Sequence, residues 1–523
     1  MRSVEQSTAL GGAHGWVLAG APVWAGPERG IAGDAVAFRD GRVAAVGPER
    51  EVRARLPRAE LVRVRGGLVV PGFVDAHLHV RACASAALAA DAGGVDGVGR
   101  LLELVARAAQ GRPRSSWVSV SGFEPRLLGP ALAPSRLELD RVAPAAPVRI
   151  RHRSLHAWLL NSAALQVAVL DRRVPAGVTL LRDEAGEPTG WVLDHGGRLR
   201  ERLGPAWPPE TFEQAVAEWS AARLREGVVA VLDASASNDA ERLRQLADWH
   251  RRGILAQRVA ALIRAPSPSV PAGERVAEGA SLRDTAGLAA SRGWPVPSPA
   301  GWKLMPEPGA GPDERVLLAA WQAGARVAVH CADLEGLGAL LEAVERLPPA
   351  RRGPLRVEHA AICPPEWLPR VARSGATVVG HPGFVHAHGD RYLAEGPALP
   401  AGWLHRLHSW TSVGAPLAFG SDAPAGPVEP LTAWRAARTR RTSGGRILGR
   451  DEALGPFEAL AGLTAWAADC SALEGYGRIQ EGGPGAAVLL GGEPLVDGAE
   501  EGVRVRLVVA AGAIVAREQS NAA

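Results

Sequence analysis

Residues 73–80 are FVDAHLHV, an apolar run that is interrupted by His77 and His79. A short apolar run of this kind is typical of a strand buried in a parallel sheet. Successive side chains of a strand point to opposite faces, so the two imidazoles share one face. An isolated His-x-His pair is as often an ordinary pair of strand residues as a pair of metal ligands. Its meaning therefore depends on the rest of the chain.

Seven further apolar runs follow, and longer amphipathic stretches separate them. Strands that alternate with helices predict a parallel sheet, and eight is the number of strands in a closed (β/α)8 barrel. Residues 81–225 come between the first two predicted strands and predict a long insertion that shapes substrate access. The seven runs are VVAVLDAS (228–235), RVAALIRA (258–265), GWKLMPE (301–307), RVAVHC (326–331), LRVEHA (355–360), ATVVGHP (376–382) and PLAFGSD (416–422).

The two ends of the chain differ from the middle, because they consist of short β-rich segments separated by turns. Residues 39–42 are RDGR, an Asp-Gly signal for a hairpin. We expect residues 1–70 and 475–523 to form one small β-sandwich domain, and residues 71–474 to form the barrel. The predicted fold class is therefore α/β, a TIM-like barrel with a composite β-domain.

The composition is that of a globular enzyme, with 47% hydrophobic and 22% charged residues. A formal charge of +4 without a long basic block favours a small-molecule substrate over nucleic acid. Four scattered cysteines without a CxxC pair argue against a disulfide framework. No signal peptide or membrane-spanning run is recognisable, so we expect a cytoplasmic protein without a membrane partner. A homodimer is an expectation that the composition does not test.

Polar side chains lie at or near the C-terminal ends of several predicted strands. Lys303 is in the fourth strand and is the only lysine among 59 Lys and Arg residues. His330, His359 and Asp422 lie in or end the fifth, sixth and eighth strands. The C-terminal strand ends of such a barrel converge on one site, where the catalytic residues of this fold lie. With the two histidines of the first strand, six potential ligands would share that site.

Each of these residues has an ordinary explanation when it is taken alone. A strand histidine is more often a packed core residue, Asp422 is a plausible helix cap, and a strand lysine can reach solvent or an ion pair. A single strand lysine in a barrel is also the nucleophile of Schiff-base lyases. That alternative explains Lys303 and leaves the histidines unexplained. The joint pattern favours a metal centre, and neither a P-loop nor a GxSxG motif is present.

Several segments resemble those of the amidohydrolase superfamily, in particular its amidohydrolase-3 branch, which includes N-substituted formamide deformylases. The resemblance extends over nearly the whole chain. The segments that carry it are VVPGFVDAHLH (69–79), VEHA (357–360), FGSDAP (419–424), LHAWLLNSAAL (155–165), DEAGEPTGWVLD (183–194) and GGPGAAVLL (482–490).

The resemblance implies one or two divalent metal ions, with zinc as the expected ion. It implies His77 and His79 as ligands of one ion, His330 and His359 as ligands of the other, a carboxylated Lys303 as the bridge, and Asp422 as a ligand that also shuttles the proton. The lysine chemistry is physically reasonable, since a buried lysine can lose its proton and react with carbon dioxide. Arginine cannot follow that route, because its pKa exceeds ~12.

The implied activity is hydrolysis of a non-peptide C–N bond, in an amide or formamide of a small molecule, by a metal-activated hydroxide. Decarboxylation, deamination and isomerisation on the same barrel remain alternatives. The candidate substrate contacts are His156, Asn161, Trp302 and His381. HCADLEG (330–336), MPEPG (305–309) and His381-Pro382 depart from the branch's usual pattern, which weakens any inference about the substrate. A second His-x-His, His386 and His388, is interpreted as pocket or surface residues in a loop.

Overall fold

The structure is a computed structural model that describes residues 14–518, except for 114–115, 126–133, 171–173, 176–177, 195–198, 266–297, 307–309, 323 and 395–399. The chain divides into two compact units. The first consists of Met1–Leu78, Ser220–Asp422 and Gly426–Ala523, and the second consists of His79–Trp219 and Ala423–Ala425. Strands are numbered below in chain order.

Strands from both ends of the chain form one sheet of the first unit. They are β1 (Trp16–Trp24), β2 (Ile31–Arg39), β3 (Arg42–Gly47), β4 (Glu60–Arg63), β5 (Leu68–Pro71), β20 (Ala487–Gly491), β21 (Arg504–Ala510) and β22 (Ala513–Arg517). The predicted hairpin at 39–42 is confirmed, with Asp40 and Gly41 at φ of 51° and 75° in its turn. Strand β1 is irregular between Ala19 and Val23. It pairs with β4 before this irregularity and with β5 at Val23, and the pairing with β5 connects the N-terminal strands to the C-terminal ones. The sequence predicted a sandwich, whereas these eight strands belong to one sheet.

The barrel strands of the first unit are all parallel and follow the order β19-β18-β17-β16-β15-β14-β13-β6. This confirms the predicted α/β fold with an eight-stranded parallel barrel sheet. Every one overlaps a run predicted from the sequence. They are β6 (Phe73–Leu78), β13 (Val228–Asp233), β14 (Arg258–Arg264), β15 (Ser298–Leu304), β16 (Val327–Cys331), β17 (Leu355–His359), β18 (Thr377–Gly380) and β19 (Leu417–Phe419).

Helices connect and cover these strands, and buried apolar side chains from the sheet form a common cluster with the helix Ala465–Cys470. The helices that lie wholly in the first unit are Glu49–Arg55, Ala240–Arg251, Glu314–Gln322, Leu334–Arg346, Leu368–Ser374, Pro382–Ala394, His408–Ser412, Pro430–Thr439, Pro456–Gly462 and Ala465–Cys470. Short 3-10 helices are Pro349–Arg351, Pro365–Trp367, Ala401–Trp403, Arg450–Glu452 and Glu500–Gly502. The helix Pro209–Arg225 spans the boundary between the units.

The second unit has its own mixed sheet, in the order β11-β12-β10-β9-β8-β7. Its strands are β7 (Ala90–Asp91), β8 (Val118–Phe123), β9 (Val148–His152), β10 (Ala157–Leu160), β11 (Val178–Arg182) and β12 (Pro188–Asp194). Two buried apolar clusters hold it together. Its helices are Val80–Leu88, Val98–Ala109, Arg136–Val142, Ser162–Val167 and Leu199–Leu203. None of the helices in the described part of the chain combines the length and the apolar character needed to cross a membrane.

The first and last barrel strands meet at a close backbone contact. The N–H of Asp422 donates to the carbonyl of His77 at 2.7 Å. A carboxylate oxygen of Asp75 accepts from the backbone N–H of His77 at 3.1 Å and from that of Ser421 at 3.0 Å. Burial raises the pKa of Asp75 to about 6, although these hydrogen bonds act in the opposite direction. Two of these bonds, from the N–H of Asp422 and from that of Ser421, thus join strand β6 to the segment after β19.

Gly420 is required at this junction because a side chain there would collide with strand β6. A Cβ atom at residue 420 would lie 2.4 Å from the Cβ of His77 and 2.8 Å from its backbone nitrogen. Overpacking of a buried position typically costs about 1–3 kcal/mol, and more where backbone must move. We therefore expect Gly420→Ala to lower the free energy of unfolding by at least about 2 kcal/mol.

Gly402→Ala is the matched control, since a Cβ at residue 402 would meet no atom within 4 Å. Its free energy of unfolding should change by less than about 1 kcal/mol. Urea unfolding of the two variants and the parent protein measures both effects. Equal stability of the two variants would contradict the close contact at residue 420.

Candidate metal centre

A group of polar side chains is buried at the C-terminal ends of the barrel strands. Lys303 and His77 are 3% and 1% exposed, and His359 and Asp422 are 6% and 8% exposed. His381, immediately after β18, is fully buried. Titratable groups are rarely this deep unless they are paired with one another or bind a metal. Their partners therefore decide what the group can do.

The first partnership joins His77 to Glu358 and Arg356. The Nδ1 of His77 lies 2.5 Å from one carboxylate oxygen of Glu358, and Arg356 donates to the other from Nε at 2.8 Å. Burial opposes ionisation of Glu358, but the charge of Arg356 holds its pKa well below the usual range. Burial lowers the pKa of His77 to about 3. A neutral His77 therefore donates from Nδ1 and keeps its lone pair on Nε2.

Arg356 extends this partnership to the backbone of two other elements. Its Nη1 donates to the carbonyl of Cys470 at 2.9 Å, and its Nη2 donates to the carbonyl of Ala76 at 2.9 Å. The guanidinium is only 3% exposed, so Glu358 supplies the charge that compensates it. The orientation of His77 therefore depends on a hydrogen-bonded ion pair that also ties β6 and β17 to a C-terminal helix.

The imidazoles of His77, His359 and His381 lie close together. One ligand atom each of His77, His359 and His381 lies within 4.8 Å of the other two. The rings of His359 and His381 have centroids 4.5 Å apart, and each centroid is 5.1 Å from that of His77. Burial lowers the pKa of His359 and of His381, so both rings are neutral and can offer a lone pair.

Lys303 carries a buried amine without a hydrogen-bond partner among the described residues. Burial lowers its pKa, and the nearby carboxylates of Glu358 and Asp422 oppose the shift. A buried amine that loses its proton becomes a nucleophile or a substrate for carboxylation. Its position fits the predicted role, which remains a prediction.

Asp422 also lies beside His77, and the Nε2 of His77 is 3.5 Å from one of its carboxylate oxygens. His79 is the first residue of the second unit. Only Leu78 separates the two histidines, so the chain itself sets their spacing. Asp422 has a φ of 53°, which turns the chain directly after the end of β19.

His330 lies beside the three converging imidazoles. Its ring centroid is 4.5 Å from that of His359 in an edge-on arrangement. Among the described residues, however, it does not belong to the group of converging ligand atoms from His77, His359 and His381. Trp302, a predicted substrate contact, is next to Lys303 in β15, so its half-buried side chain points to the opposite face of the sheet.

The two candidate contacts in the second unit have local partners. The side chain of Asn161 is 1% exposed and accepts from the N–H groups of Val148 and Ala164, at 2.8 and 3.0 Å. It also donates to the carbonyl of Ala146 at 3.0 Å. These bonds give Asn161 a structural role as a helix cap. His156 is half-buried, and its backbone N–H donates to the hydroxyl of Ser154 at 3.4 Å.

The sequence predicts that the second His-x-His lies in a loop, and this prediction is wrong. His386 and His388 lie in the helix Pro382–Ala394. Residues i and i+2 of a helix point in different directions, so the two rings do not form a pair. His388 is buried beside Phe384, with ring centroids 5.0 Å apart.

Three residues that hold the ligands in place were not predicted from the sequence, namely Asp75, Arg356 and Glu358. The position of Asp75 could have been predicted, because the alternation of side chains in FVDAHLH puts Asp75 on the same face of the strand as His77. The position of Glu358 could not, since strict alternation puts residues 358 and 359 on opposite faces of the strand. His359 has a φ of 75°, which ends the regular strand and allows both side chains to contact His77.

The donor set fits a divalent cation. His381 Nε2 and Lys303 Nζ are buried polar atoms without hydrogen-bond partners among the described residues, which is costly unless something absent from the protein chain satisfies them. Neutral imidazoles with a carboxylate suit zinc and neighbouring transition metals. Metal-binding histidines commonly donate their other ring N–H to a carboxylate or carbonyl, as His77 does to Glu358.

The ion pair gives a test that needs no substrate. Removal of one partner of a buried ion pair costs about 3–5 kcal/mol, so Glu358→Gln should lower the free energy of unfolding by that amount at neutral pH. An unfolded glutamate titrates near ~4.3, and the folded pKa lies below this value. Its contribution is therefore fully present above about pH 5 and is lost as pH falls further, so the gap between variant and parent should narrow below about pH 4.

Glu314→Gln is the control, because Glu314 pairs with Arg346 at the surface, where an ion pair contributes at most about 1 kcal/mol. Urea unfolding of both variants across this pH range measures the effect. A small loss for Glu358→Gln, or a gap that widens with acid, would contradict the assigned ion pair.

Comparison with known proteins agrees with this geometry. The sequence model of the amidohydrolase family matches residues 61–516. The putative amidohydrolase YtcJ of Bacillus subtilis (strain 168) is 26% identical over 500 residues, which are 89% of this chain and 92% of that protein. N-substituted formamide deformylase of Arthrobacter pascens is 27% identical over 465 residues, 83% of this chain and 85% of that protein.

A solved structure shares the fold. It is that of an uncharacterized metal-dependent hydrolase from Pyrococcus horikoshii OT3, which matches with a TM-score of 0.69 at 21% identity over 93% of this chain and 99% of that one. The family match covers most of the chain, and both relatives match over most of their own length. The chain therefore belongs to the amidohydrolase family, in its amidohydrolase-3 branch, and is a hydrolase that acts on carbon–nitrogen bonds.

Proposed function

We propose that this protein is a metal-dependent hydrolase that cleaves a non-peptide C–N bond, in an amide or formamide of a small molecule. The observation that carries the proposal is a pair of buried nitrogen atoms, Lys303 Nζ and His381 Nε2, that have no hydrogen-bond partner among the described residues and lie beside converging neutral histidines. The deformylase relative, by its name, acts on N-substituted formamides, which supports this bond type here.

The residues proposed to hold the metal are His77, His79, Lys303, His330, His359 and Asp422. A divalent ion held there, with zinc as the expected one, lowers the pKa of water to near ~7 and polarises the scissile carbonyl. Glu358 fixes the orientation of His77, and burial of the cluster excludes bulk water. Carboxylation of Lys303 would convert its buried amine into an anion with two oxygens, which would be suitable ligands for divalent ions.

Asp422 is the proposed proton shuttle. It accepts a proton from the attacking water and returns it to the leaving nitrogen, which must become an amine to depart. Its backbone N–H is held to His77 at 2.7 Å, so the carboxylate is positioned by the same junction that closes the barrel. A general acid–base group of this kind contributes typically about 10²–10⁴-fold to the rate.

We expect Asp422→Asn to lower kcat by about 10²–10⁴-fold on the best substrate in a panel of N-formyl and N-acyl amines. The amide keeps the size of the side chain but cannot take up the proton. Asp469→Asn is the control, because Asp469 pairs with Arg478 at the surface, and this variant should keep most of the activity. Full activity of the Asp422 variant would exclude the proton shuttle.

Lys303→Arg should lower the metal content of the purified protein, because arginine stays protonated and cannot be carboxylated. Elemental mass spectrometry, without chelator in any buffer, gives metal per protomer. Trp302→Phe is the control, since Trp302 is adjacent in β15 but on the opposite face. Unchanged metal in the Lys303 variant would remove Lys303 from the metal site.

A neutral amine also attacks carbonyl groups, so the Schiff-base role that the sequence left open for Lys303 makes a different prediction from the metal hydrolase. Borohydride would then trap a carbonyl substrate on Lys303, and chelators would leave the activity intact. Activity that is lost with a chelator and restored by a divalent ion supports the metal hydrolase instead.

A further inference from the structure

His381 has the bonding pattern of a metal ligand. Its Nδ1 lies 2.8 Å from the backbone carbonyl of Gly420, and a carbonyl can only accept. Nδ1 therefore carries the ring hydrogen, and the neutral ring keeps its lone pair on Nε2. Metal-binding histidines are oriented by this kind of bond from the other ring nitrogen.

The Nε2 of His381 has no hydrogen-bond partner among the described residues, although the side chain is fully buried. An unpaired acceptor in such surroundings costs about 1–3 kcal/mol. The ring is enclosed by His77, His359 and Phe384, with centroid distances of 5.1, 4.5 and 5.4 Å. A single ion can reach a nitrogen enclosed in this way more readily than a substrate group can.

His381 and the proposed ligand His77 make the same kind of contact through Nδ1. The Nδ1 of His77 contacts the carboxylate of Glu358, and the Nδ1 of His381 contacts the backbone carbonyl of Gly420. Both share with His359 a set of ligand atoms within 4.8 Å of one another. In both rings the Nδ1 contact leaves Nε2 as the nitrogen that a metal ion can bind.

We propose that His381 is a metal ligand and forms, with His77 and His359, a three-imidazole site for a divalent transition metal such as Zn²⁺ or Co²⁺. The inference rests on the proposed function, which requires a metal in this cluster. It replaces the role of substrate contact that the sequence suggested for His381, and it adds a ligand from strand β18 to those proposed above.

The test uses the full-length protein, stripped of metal and titrated with Co²⁺. We expect His381→Gln to weaken Co²⁺ binding by at least about tenfold, since the loss of groups that only orient a ligand already costs 10–100-fold. The visible spectrum of the bound cobalt should also change. His386→Gln is the matched control, because His386 lies on the following helix and outside the converging groups, and it should bind Co²⁺ as the parent does.

His381→Cys gives a second readout in case the glutamine variant does not fold. A thiolate bound directly to cobalt adds a charge-transfer absorption in the near ultraviolet, which an unbound thiol does not. Parent-like affinity and spectrum in His381→Gln, with no such absorption in His381→Cys, would overturn the assignment while leaving the metal centre intact. If the parent protein itself fails to bind Co²⁺ or Zn²⁺, the proposed function fails and this inference fails with it.

Discussion

The site depends on one buried carboxylate. Glu358 is fully enclosed, and it stays ionised because Arg356 binds it from one side and His77 from the other. Burial alone would favour the protonated acid, which could not accept the ring hydrogen of His77 in the same way. Because the carboxylate is charged, Nδ1 of His77 donates to it and Nε2 faces Asp422. The tautomer and the orientation of His77 follow from this contact, whereas its neutral state follows from burial, which lowers the pKa of the ring.

The same contact organises the surrounding fold. Arg356 reaches the backbone of Ala76 in β6 and of Cys470 in the last helix, so the charge that holds Glu358 also joins the two ends of the barrel unit. Nearby, Gly420 lets the chain approach His77 to within a distance that no side chain allows, and its carbonyl orients His381. The histidines are thus held by groups that are themselves structural, which is the support a preorganised site needs.

Much of the barrel could be predicted, because strands buried on both faces are continuous apolar runs, and all eight runs overlap observed strands. His77 and Lys303 could be placed at strand ends for the same reason. The partners of these residues could not, since Glu358 shares the cluster with His359 only through the positive φ of His359, which no periodicity encodes. For His381 the sequence predicts a strand end and a substrate contact, but it does not give the hydrogen-bond partners of the ring nitrogens.

The central claim is that the buried nitrogens around His77 exist to bind metal, and anomalous diffraction from a crystal grown without chelator tests it most directly. Data collected on either side of a zinc or cobalt absorption edge locate each ion independently of its ligands. We expect a peak in the space that Nε2 of His77 and Nε2 of His381 face, with added density beyond the Nζ of Lys303 if that lysine is carboxylated. A metal-free map from protein supplied with zinc, with Lys303 in an ordinary ion pair, would contradict the account.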